Sequence, residues 1–452
     1  MTDTAPAVPH EGHTVPPDAH VPRRRVLSWA LYDWGSAAFN AVIVTFVFAT
    51  YLTDVVAVKG APEGAMSGQS MLAFATGLTG VLVALLAPVM GQRADAGGHR
   101  KRNLGIWTAL IVACMVGMFW VRDDYAYVWL GLILLSGGNI FSEFANVSYY
   151  AMLKQVSTPS TVGRVSGMGW AAGYVGGIFL LLLLFVGLIS PEVGWFGATS
   201  EGGLRYRLVA LVAAAWFALS AIPLFLNVPE VPAQSAGRRV GFLESYRVLV
   251  RDIVALWRSD RNAAFFLGAS ALFRDGLAAV FTFGAVIAVS VYGLSSSDVL
   301  IFGVAANVVA AAGAFAGGLI EDRVGPKPII LVSLVGLTLT AIALIFVHET
   351  AQFWVLGLAL CLWVGPAQSS ARAFLAHVSP PGREGQMFGL YATSGRAVSF
   401  LAPTLIGVFS LIGGDRTGIV GIVVVLLLGI TALLFVKSPD RQIVTDLPRP
   451  TD

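Results

Sequence analysis

The stretch Gly91-Gln-Arg-Ala-Asp-Ala-Gly-Gly-His-Arg-Lys-Arg102 decides the fold, together with its echo Gly318-Leu-Ile-Glu-Asp-Arg-Val-Gly-Pro-Lys327. Each copy opens with Gly-x-x-x-Asp, continues through one or two glycines and closes on Arg or Lys. Each lies between two long apolar segments, and the copies begin half of the 452-residue chain apart. A polar turn repeated at half-length predicts two similar halves that arose by duplication.

The composition is that of a membrane protein. Hydrophobic residues make up 56% of the chain and charged residues 12%, whereas a soluble domain is closer to a quarter charged. The net charge of +3 is spread over loops, so nucleic acid is not an expected partner. The two cysteines, Cys114 and Cys361, fall inside apolar segments and are interpreted as packing residues rather than a disulfide or a metal site.

Motifs of other function classes are missing from the sequence. It contains no Walker-type Gly-x-x-x-x-Gly-Lys-Ser/Thr, so we expect no direct ATP drive. It also lacks His-Glu-x-x-His and Gly-x-Ser-x-Gly, so an intramembrane hydrolase has no support. We therefore expect no enzyme activity, no cofactor and no bound metal, and we expect transport energy to come from a solute or ion gradient.

Apolar segments of about 20 residues or more recur from Val26 to Val436, and each can cross a bilayer as a helix. They predict an all-α membrane protein with about twelve transmembrane helices in two pseudo-symmetric six-helix halves. The segments of the first half are approximately 26–56, 70–91, 104–121, 126–153, 163–190 and 206–227. Those of the second half are 262–292, 298–320, 328–347, 352–376, 386–411 and 418–436.

The loops divide the chain and orient it. Most loop Lys and Arg fall on the side that carries both termini, so both termini are predicted to be cytoplasmic. We expect an integral multi-pass protein of the plasma (inner) membrane, present as a monomer. The predicted regions are a disordered tail (1–22), an N-terminal six-helix half (23–228), a cytoplasmic linker (229–261), a C-terminal six-helix half (262–437) and a second disordered tail (438–452).

The linker contains an amphipathic pattern. Apolar residues recur at helical spacing, with arginines elsewhere on the helix: Phe242, Tyr246, Leu249, Ile253 and Trp257. This pattern predicts a helix that suits the cytoplasmic membrane surface. An ordinary soluble helix beneath the protein remains the alternative.

Ionisable residues inside spanning segments are costly and usually face a cavity or a partner. They occur in segments 1, 4, 7, 10 and 11: Asp33, Glu143, Arg274, Asp275, Arg372 and Arg396. The three acids are candidates for proton carriage, and Arg274 and Arg372 could hold a carboxylate, which an arginine fork matches. Two alternatives stay open: the charges could pair only to hold the bundle together, and Arg372 could extend to the headgroups.

The repeated turn resembles the loop between the second and third helices of major facilitator superfamily transporters, and the matching loop between helices eight and nine. The second copy carries the family pattern at five positions: Gly318, Asp322, Arg323, Gly325 and Lys327. The first copy departs from it, because Ala96 replaces the usual basic residue and one extra residue shifts the basic end.

The resemblance implies that the loop aspartate braces a helix of the opposite half and helps to hold one gate shut. The gating candidates are Asp95, Arg100, Asp322, Arg323, Lys327 and Arg396. A tight basic turn without a switching role is the alternative.

Glycines at four-residue spacing mark segments 5, 8 and 11. They are Gly169, Gly173 and Gly177, then Gly313 and Gly317, then Gly385 and Gly389. Such spacing lets helix backbones approach closely. The superfamily resemblance implies that helices 2, 5, 8 and 11 form the sliding contact between the halves; plain helix packing is the alternative.

A narrower resemblance covers nearly the whole chain. Its most specific part is Trp29-Ala-Leu-Tyr-Asp-Trp34, followed by Val165-Ser-Gly-Met-Gly169, Arg274-Asp-Gly276 and Phe388-Gly-Leu-Tyr391. Together they resemble the vacuole-effluxer-like group of the superfamily, also called the first unknown major facilitator family. Eukaryotic members of that group are associated with releasing amino acids from the vacuole, and the inference to this chain is by analogy.

The sequence thus predicts a secondary active transporter that works by alternating access in the lipid bilayer. It would move a small polar solute, with an amino acid as the first expectation, coupled to protons. The residues expected along the substrate and proton pathway are Asp33, Trp34, Asn139, Glu143, Asn146, Arg274, Asp275, Gln368 and Arg372. The alternatives are a proton-driven exporter of drugs or other apolar compounds, with a cavity dominated by aromatics such as Trp34 and Trp170, and a transport-inactive membrane sensor or scaffold.

Overall fold

The computed structural model describes residues 21–230 and 242–439. Eleven of the helices in these ranges are long and apolar enough to cross a membrane, and the helix Gly418–Leu434 is apolar but shorter. The twelve helices are α1 Arg23–Val56, α2 Gly68–Gly97, α3 Arg100–Gly117, α4 Val128–Ala151, α5 Val162–Leu184, α6 Leu204–Asn227, α7 Arg261–Ser290, α8 Ser296–Val324, α9 Pro326–Phe346, α10 Thr350–Val378, α11 Glu384–Gly413 and α12 Gly418–Leu434. The predicted tails (except 21–22 and 438–439) and the linker stretch 231–241 lie outside the described residues.

The helices form two six-helix halves, as predicted. In the first half α1 packs against α5 and α6, and in the second half α7 packs against α12 and α11. The halves meet mainly along two helix pairs, α2 with α11 and α5 with α8. We call the end of the bundle that carries Arg23 and Val436 the terminal face. The fold class predicted from the sequence is confirmed; the exact boundary positions between the regions stay predictions.

Glycine builds both motif turns. Gly98 ends α2 with a φ of +61°, and Gly325 separates α8 from α9 with a φ of +88°. Backbone in this region is easily adopted only by glycine. Pro326 then starts α9, where its missing N–H is not needed. The two loop aspartates consequently lie in the last turn of their helices, at the terminal face.

Two helices are less regular than the sequence predicts. Helix α1 contains two π-helical stretches, Ala38–Phe46 and Leu52–Val56. Helix α11 is interrupted between Val398 and Leu401, although segment 386–411 reads as one continuous apolar run. The interruption leaves new helix-end N–H groups that need acceptors, and one acceptor is described below.

The linker helix spans Phe242–Ser259, where the apolar periodicity predicts it. The hydroxyl of Tyr246 donates to the carbonyl oxygen of Leu85 on α2, at 3.0 Å. Val250 and Trp257 are 60% and 49% exposed. Its placement on a membrane surface stays a prediction.

The glycines at the contact between the halves are only partly those predicted. Gly385 and Gly389 do pack against α2, where a Cβ on Gly389 would lie 2.7 Å from the carbonyl oxygen of Ala87. In α5 and α8 the glycines mainly make the plain helix packing that was the alternative. Gly173 and Gly177 pack against α1, and Gly313 and Gly317 pack against α10, within their own halves, whereas Gly169 lies against both α1 and Arg372 of the opposite half. The close approach of α5 to α8 instead uses Gly163, Gly167 and Gly318, which lie nearer the terminal face.

Candidate functional site

The first motif turn holds α11 of the opposite half. The carboxylate of Asp95 accepts hydrogen bonds from the backbone N–H groups of Gly385, at 3.1 Å, and Gln386, at 2.8 Å. These are N–H groups of the first turn of α11, where the helix dipole also favours a negative charge. Arg100 bridges the two halves here, with its guanidinium 2.7 Å from Asp95 and 2.6 Å from Glu384.

This cluster, which we call the first gate after the role that the resemblance implies for it, is closed to solvent. The side chains of Asp95 and Glu384 are each 6% exposed, and that of Arg100 is 9% exposed. Lys154 adds a second cation 3.5 Å from Glu384 and donates to the carbonyl oxygen of Ser379, at 2.6 Å. Two carboxylates and two cations therefore neutralise one another across the interface between the halves.

The second motif turn makes a weaker link, the second gate. Asp322 accepts a hydrogen bond from the backbone N–H of Arg164, at 3.1 Å, and pairs with the Arg164 guanidinium at 3.1 Å. The Arg164 side chain is 54% exposed. Lys327, predicted as a gating residue, donates instead to the carbonyl oxygens of Leu434 and Val436 within its own half. Arg323 is exposed at the end of α8.

A salt bridge joins the halves deeper in the bundle. Arg372 of α10 pairs with Asp33 of α1 at 3.2 Å, and its guanidinium also donates to the hydroxyl oxygen of Ser166, at 3.0 Å, and to its carbonyl oxygen, at 2.6 Å. The Arg372 side chain is 2% exposed and that of Asp33 is 16% exposed. The idea that Arg372 extends to the headgroups was wrong, since this arginine points into the bundle.

Aromatic rings surround this central pair. The Arg372 guanidinium carbon lies 4.9 Å from the ring centre of Trp29, 5.0 Å from that of Tyr150 and 5.7 Å from that of Trp170. Ring faces attract cations at these distances. Trp29 is fixed in turn, because Tyr149 stacks on it at 4.5 Å and donates a hydrogen bond to its carbonyl oxygen. The Trp29-to-Trp34 phrase of the sequence thus supplies both a wall and the anion of the site.

Another ion pair crosses between the halves at α4 and α11. Glu143 accepts a hydrogen bond from Arg396, with side chains 26% and 32% exposed. This pair is more exposed than the central pair. The sequence assigned Glu143 to the pathway and Arg396 to gating, and the structure brings the two together.

The charged pair of α7 does not join the central pair. Arg274 donates to the carbonyl oxygen of Tyr391 on α11, at 2.9 Å, and lies 3.8 Å from the centre of its ring. Asp275, 6% exposed, accepts the backbone N–H of Ala402 at 2.7 Å. It therefore satisfies a helix-end N–H group in the second segment of α11. Asp33 and Asp275 therefore have different kinds of partner, an arginine side chain and a backbone N–H.

The remaining pathway candidates are uncharged. Trp34 stacks on Trp216 and packs against Phe179, both within its own half, with ring centres 5.8 and 5.9 Å away. That position differs from the central cavity expected for it. Asn139, Asn146 and Gln368 are half-buried, and their place in a substrate pathway stays a prediction.

Sequence reasoning missed four contacts of these clusters, together with the buried acid Glu321 of α8: Lys154, Arg164, Ser166 and Glu384. Four of these five residues lie near the ends of predicted segments, where an ionisable or polar residue looks like ordinary loop chemistry. Glu384 alone had a recognisable signal in the sequence, because it directly precedes Gly385 and Gly389, the glycine pair that predicts a close helix contact. In the described parts of the chain, no group of three or more His, Cys, Asp or Glu could hold a metal ion.

Sequence comparison identifies relatives along the chain. The profile of the family described as vacuole effluxer Atg22-like matches residues 154–442. An uncharacterized MFS-type transporter, YxiO of Bacillus subtilis (strain 168), is 26% identical over 91% of this chain and 94% of its own length. Autophagy-related protein 22 of Cryptococcus neoformans is 26% identical over 60% of this chain and 52% of its own length.

Solved structures of major facilitator transporters share the fold. The proton:xylose symporter XylE superposes with a TM-score of 0.71 at 15% identity, covering 92% of this chain and 96% of its own. The human organic anion transporter MFSD10 gives a TM-score of 0.67 at 15% identity over 91% and 99%. These are transporters and not enzymes. The chain belongs to the vacuole effluxer Atg22-like family of the major facilitator superfamily.

Proposed function

We propose that this transporter carries a zwitterionic amino acid through the centre of the bundle, coupled to protons, by alternating access. Arg372 would hold the carboxylate and Asp33 the ammonium group. The observation that carries the proposal is the central pair itself, one fixed cation and one fixed anion from opposite halves with aromatic walls. The family resemblance to effluxers associated with amino acids points to the same substrate class.

The chemistry of the site suits such a substrate. A guanidinium fork matches a carboxylate through two parallel hydrogen bonds. Asp33 places a carboxylate oxygen 3.2 Å from that guanidinium. A bound α-amino acid could replace this direct contact, because its own carboxylate and ammonium groups would lie between the two side chains. Trp29, Tyr150 and Trp170 leave apolar ring surface for the side chain of the amino acid.

The same pair offers a mechanism for alternating access. In this structure the central pair and both gates tie the halves together, so the protein is closed at the terminal face. Substrate that replaces the Arg372–Asp33 contact would remove one of these ties and favour rocking of the halves around the bound solute. The positive-inside prediction would make the terminal face cytoplasmic. The proposal places the transporter as a monomer in the plasma (inner) membrane.

Proton coupling would use the acids of the spanning helices. Asp33, Glu143 and Asp275 lie in spanning helices, where ionisable groups commonly mark substrate and proton paths. Each of them has a partner in the closed state: Arg372, Arg396 and the Ala402 N–H, respectively. A proton on Asp33 would release Arg372 for the substrate carboxylate, and that proton would leave Asp33 when the substrate ammonium group takes its place, which links the two events at one site.

Uptake into proteoliposomes tests this function. Purified protein would be offered a labelled amino-acid mixture with and without an imposed pH gradient, and we expect accumulation that collapses when an uncoupler is added. Asp33→Asn should abolish accumulation. Asp54→Asn is the matched control, because Asp54 lies exposed on the same helix and should leave uptake intact. Absence of flux for every amino acid, from folded protein in both orientations, would refute the substrate assignment.

The exporter of apolar compounds has one observation in its favour. The rings around Arg372 would suit a flat apolar solute, as the sequence alternative supposed. The charge at their centre argues against it, since an apolar solute would leave Arg372 and Asp33 desolvated without new partners. Efflux of a cationic dye from the same proteoliposomes, unaffected by Asp33→Asn, would favour the exporter over the amino-acid carrier.

A further inference from the structure

Glu321 is a buried acid that the scheme above does not use. It lies on α8, one residue before the gate residue Asp322, and it is 2% exposed. It is packed where α5, α8 and α10 meet. A Cβ on Gly163 of α5, in the opposite half, would lie 2.8 Å from the Glu321 Cβ and 2.9 Å from its carboxyl carbon. The carboxyl group is therefore covered by the other half when the terminal face is closed.

The polar contacts of Glu321 are unusually poor. The hydroxyl of Ser370 on α10 donates to its Oε2 atom, while Oε1 is buried and has no hydrogen-bond partner in the described part of the chain. Among the described residues, Glu321 forms no salt bridge. It differs in this respect from Asp33, Asp95 and Glu384, each of which has a cation within about 3.2 Å.

The charged groups near Glu321 do not compensate a negative charge. On its own helix Asp322 is a second acid, and on α5 the guanidinium of Arg164 is engaged by Asp322. On α10 Arg372 is nearby, but its nitrogens bind Asp33 and both oxygens of Ser166. An ionised carboxylate buried without a cation costs several kcal/mol, so such a group takes up a proton instead.

We propose that Glu321 is a proton-binding site that fills when the terminal face closes and empties when it opens. In the closed state the neutral acid is buried against Gly163 and accepts a hydrogen bond from Ser370. When α5 separates from α8, water reaches the carboxyl group and the proton leaves to the solution at the terminal face. Each closing then takes up one proton and each opening releases one, with no other reactant.

This site gives the transporter a proton-linked step separate from the central pair. Its meaning for coupled transport rests on the proposed function, but the proton linkage itself does not, because it concerns only the two conformations. A single linked proton changes the ratio of open to closed protein by up to tenfold per pH unit. Higher pH favours the open terminal face, since the open state binds the proton less tightly.

Two measurements test the site without any substrate. Infrared difference spectra of the purified protein, titrated with pH, should contain a carboxylic-acid carbonyl band that disappears in Glu321→Gln. The open-to-closed ratio should be read from electron–electron spin distances between labels at Arg24→Cys and Ser438→Cys, two exposed positions in opposite halves, with Cys114 and Cys361 replaced by alanine. Glu349→Gln is the matched control, because Glu349 is exposed at the start of α10.

The expected results are specific. In wild type and Glu349→Gln, the open-to-closed ratio should rise by up to tenfold for each unit of increase in pH. Glu321→Gln should stay closed across the pH range, because its neutral amide imitates the protonated acid. A Glu321→Gln variant with the wild-type band and the wild-type pH dependence would overturn the proposal. If the band and the pH response vanish in Glu321→Gln while no amino acid is taken up by wild type, the proton site stands and the proposed substrate fails.

Discussion

Asp95→Asn should open the terminal face far more often than Asp322→Asn, although the second motif copy is closer to the family pattern. Asp95 is 6% exposed and holds two N–H groups of α11 in the opposite half, besides Arg100. Asp322 holds one N–H group of α5 and a half-exposed arginine. The two aspartates occupy equivalent sequence positions, so each is the other's control.

The magnitudes follow from these contacts. Asn at position 95 keeps one acceptor oxygen but loses the charge, which costs about 1.5–3 kcal/mol for a charged hydrogen bond and more for the buried pair with Arg100. A loss of about 3 kcal/mol raises the open-to-closed ratio about 100-fold. At position 322 the exposed pair contributes about 0–1 kcal/mol, and Asn can still accept the Arg164 N–H, so we expect a change of at most about fivefold.

Spin-label distances across the terminal face measure both variants. Labels at Arg24→Cys and Ser438→Cys lie away from either aspartate in the sequence, and the populations of the short and long distances give the open-to-closed ratio directly. Glu384→Gln should act in the same direction as Asp95→Asn. Combining the two should give less than the product of their effects, since both variants break one cluster.

The relative size of the two opening effects is the critical result. A larger opening in Asp322→Asn than in Asp95→Asn would mean that the second gate, despite its exposed arginine, is the stronger tie. Equal small effects in both variants would mean that close helix packing, and not the charged cluster, keeps the terminal face shut.

Three further outcomes follow from the contacts described. Arg372→Lys should weaken amino-acid binding by about 10–100-fold in equilibrium dialysis, because lysine keeps the charge but loses the planar fork and its ring contacts. Asp275→Ala should lower stability by about 1–3 kcal/mol in thermal unfolding, because the Ala402 N–H loses its acceptor; an unchanged unfolding temperature would show that this N–H finds another partner. Gly318→Ala should favour the open terminal face in the spin-label assay, since its Cβ would lie 2.6 Å from the Gly163 carbonyl oxygen; unchanged distances would show that the contact can relax.

The central pair marks how far sequence reasoning reaches into the site. Asp33 and Arg372 were both expected in the pathway, because charges inside spanning segments are costly and conspicuous. Their pairing was not foreseen, since they lie 339 positions apart and no local pattern tells which charges meet. For the same reason the contact of Asp275 with the break in α11 was not foreseen.

Glu321, in contrast, was not recognised from the sequence as a buried acid. It follows an apolar run and precedes the motif aspartate, so the sequence presents it as one more loop acid. Burial depends on how α5 and α10 close over that end of α8, and on Gly163 having no side chain there. Only the packed arrangement distinguishes this uncompensated carboxyl group from the exposed acids elsewhere in the chain.

The sequence by itself determined the class of protein, the twelve helices and the duplicated halves. These properties depend on the length of apolar runs, on backbone hydrogen bonds that a bilayer forces to be internal, and on glycine at turns, all of which are local. The tertiary structure decided which charges neutralise one another, which glycines bring the halves together and which acid lacks a partner. Those outcomes depend on the rotation and depth of helices far apart in the chain, which periodicity does not specify because a helix buried in a membrane has few polar positions to mark its faces.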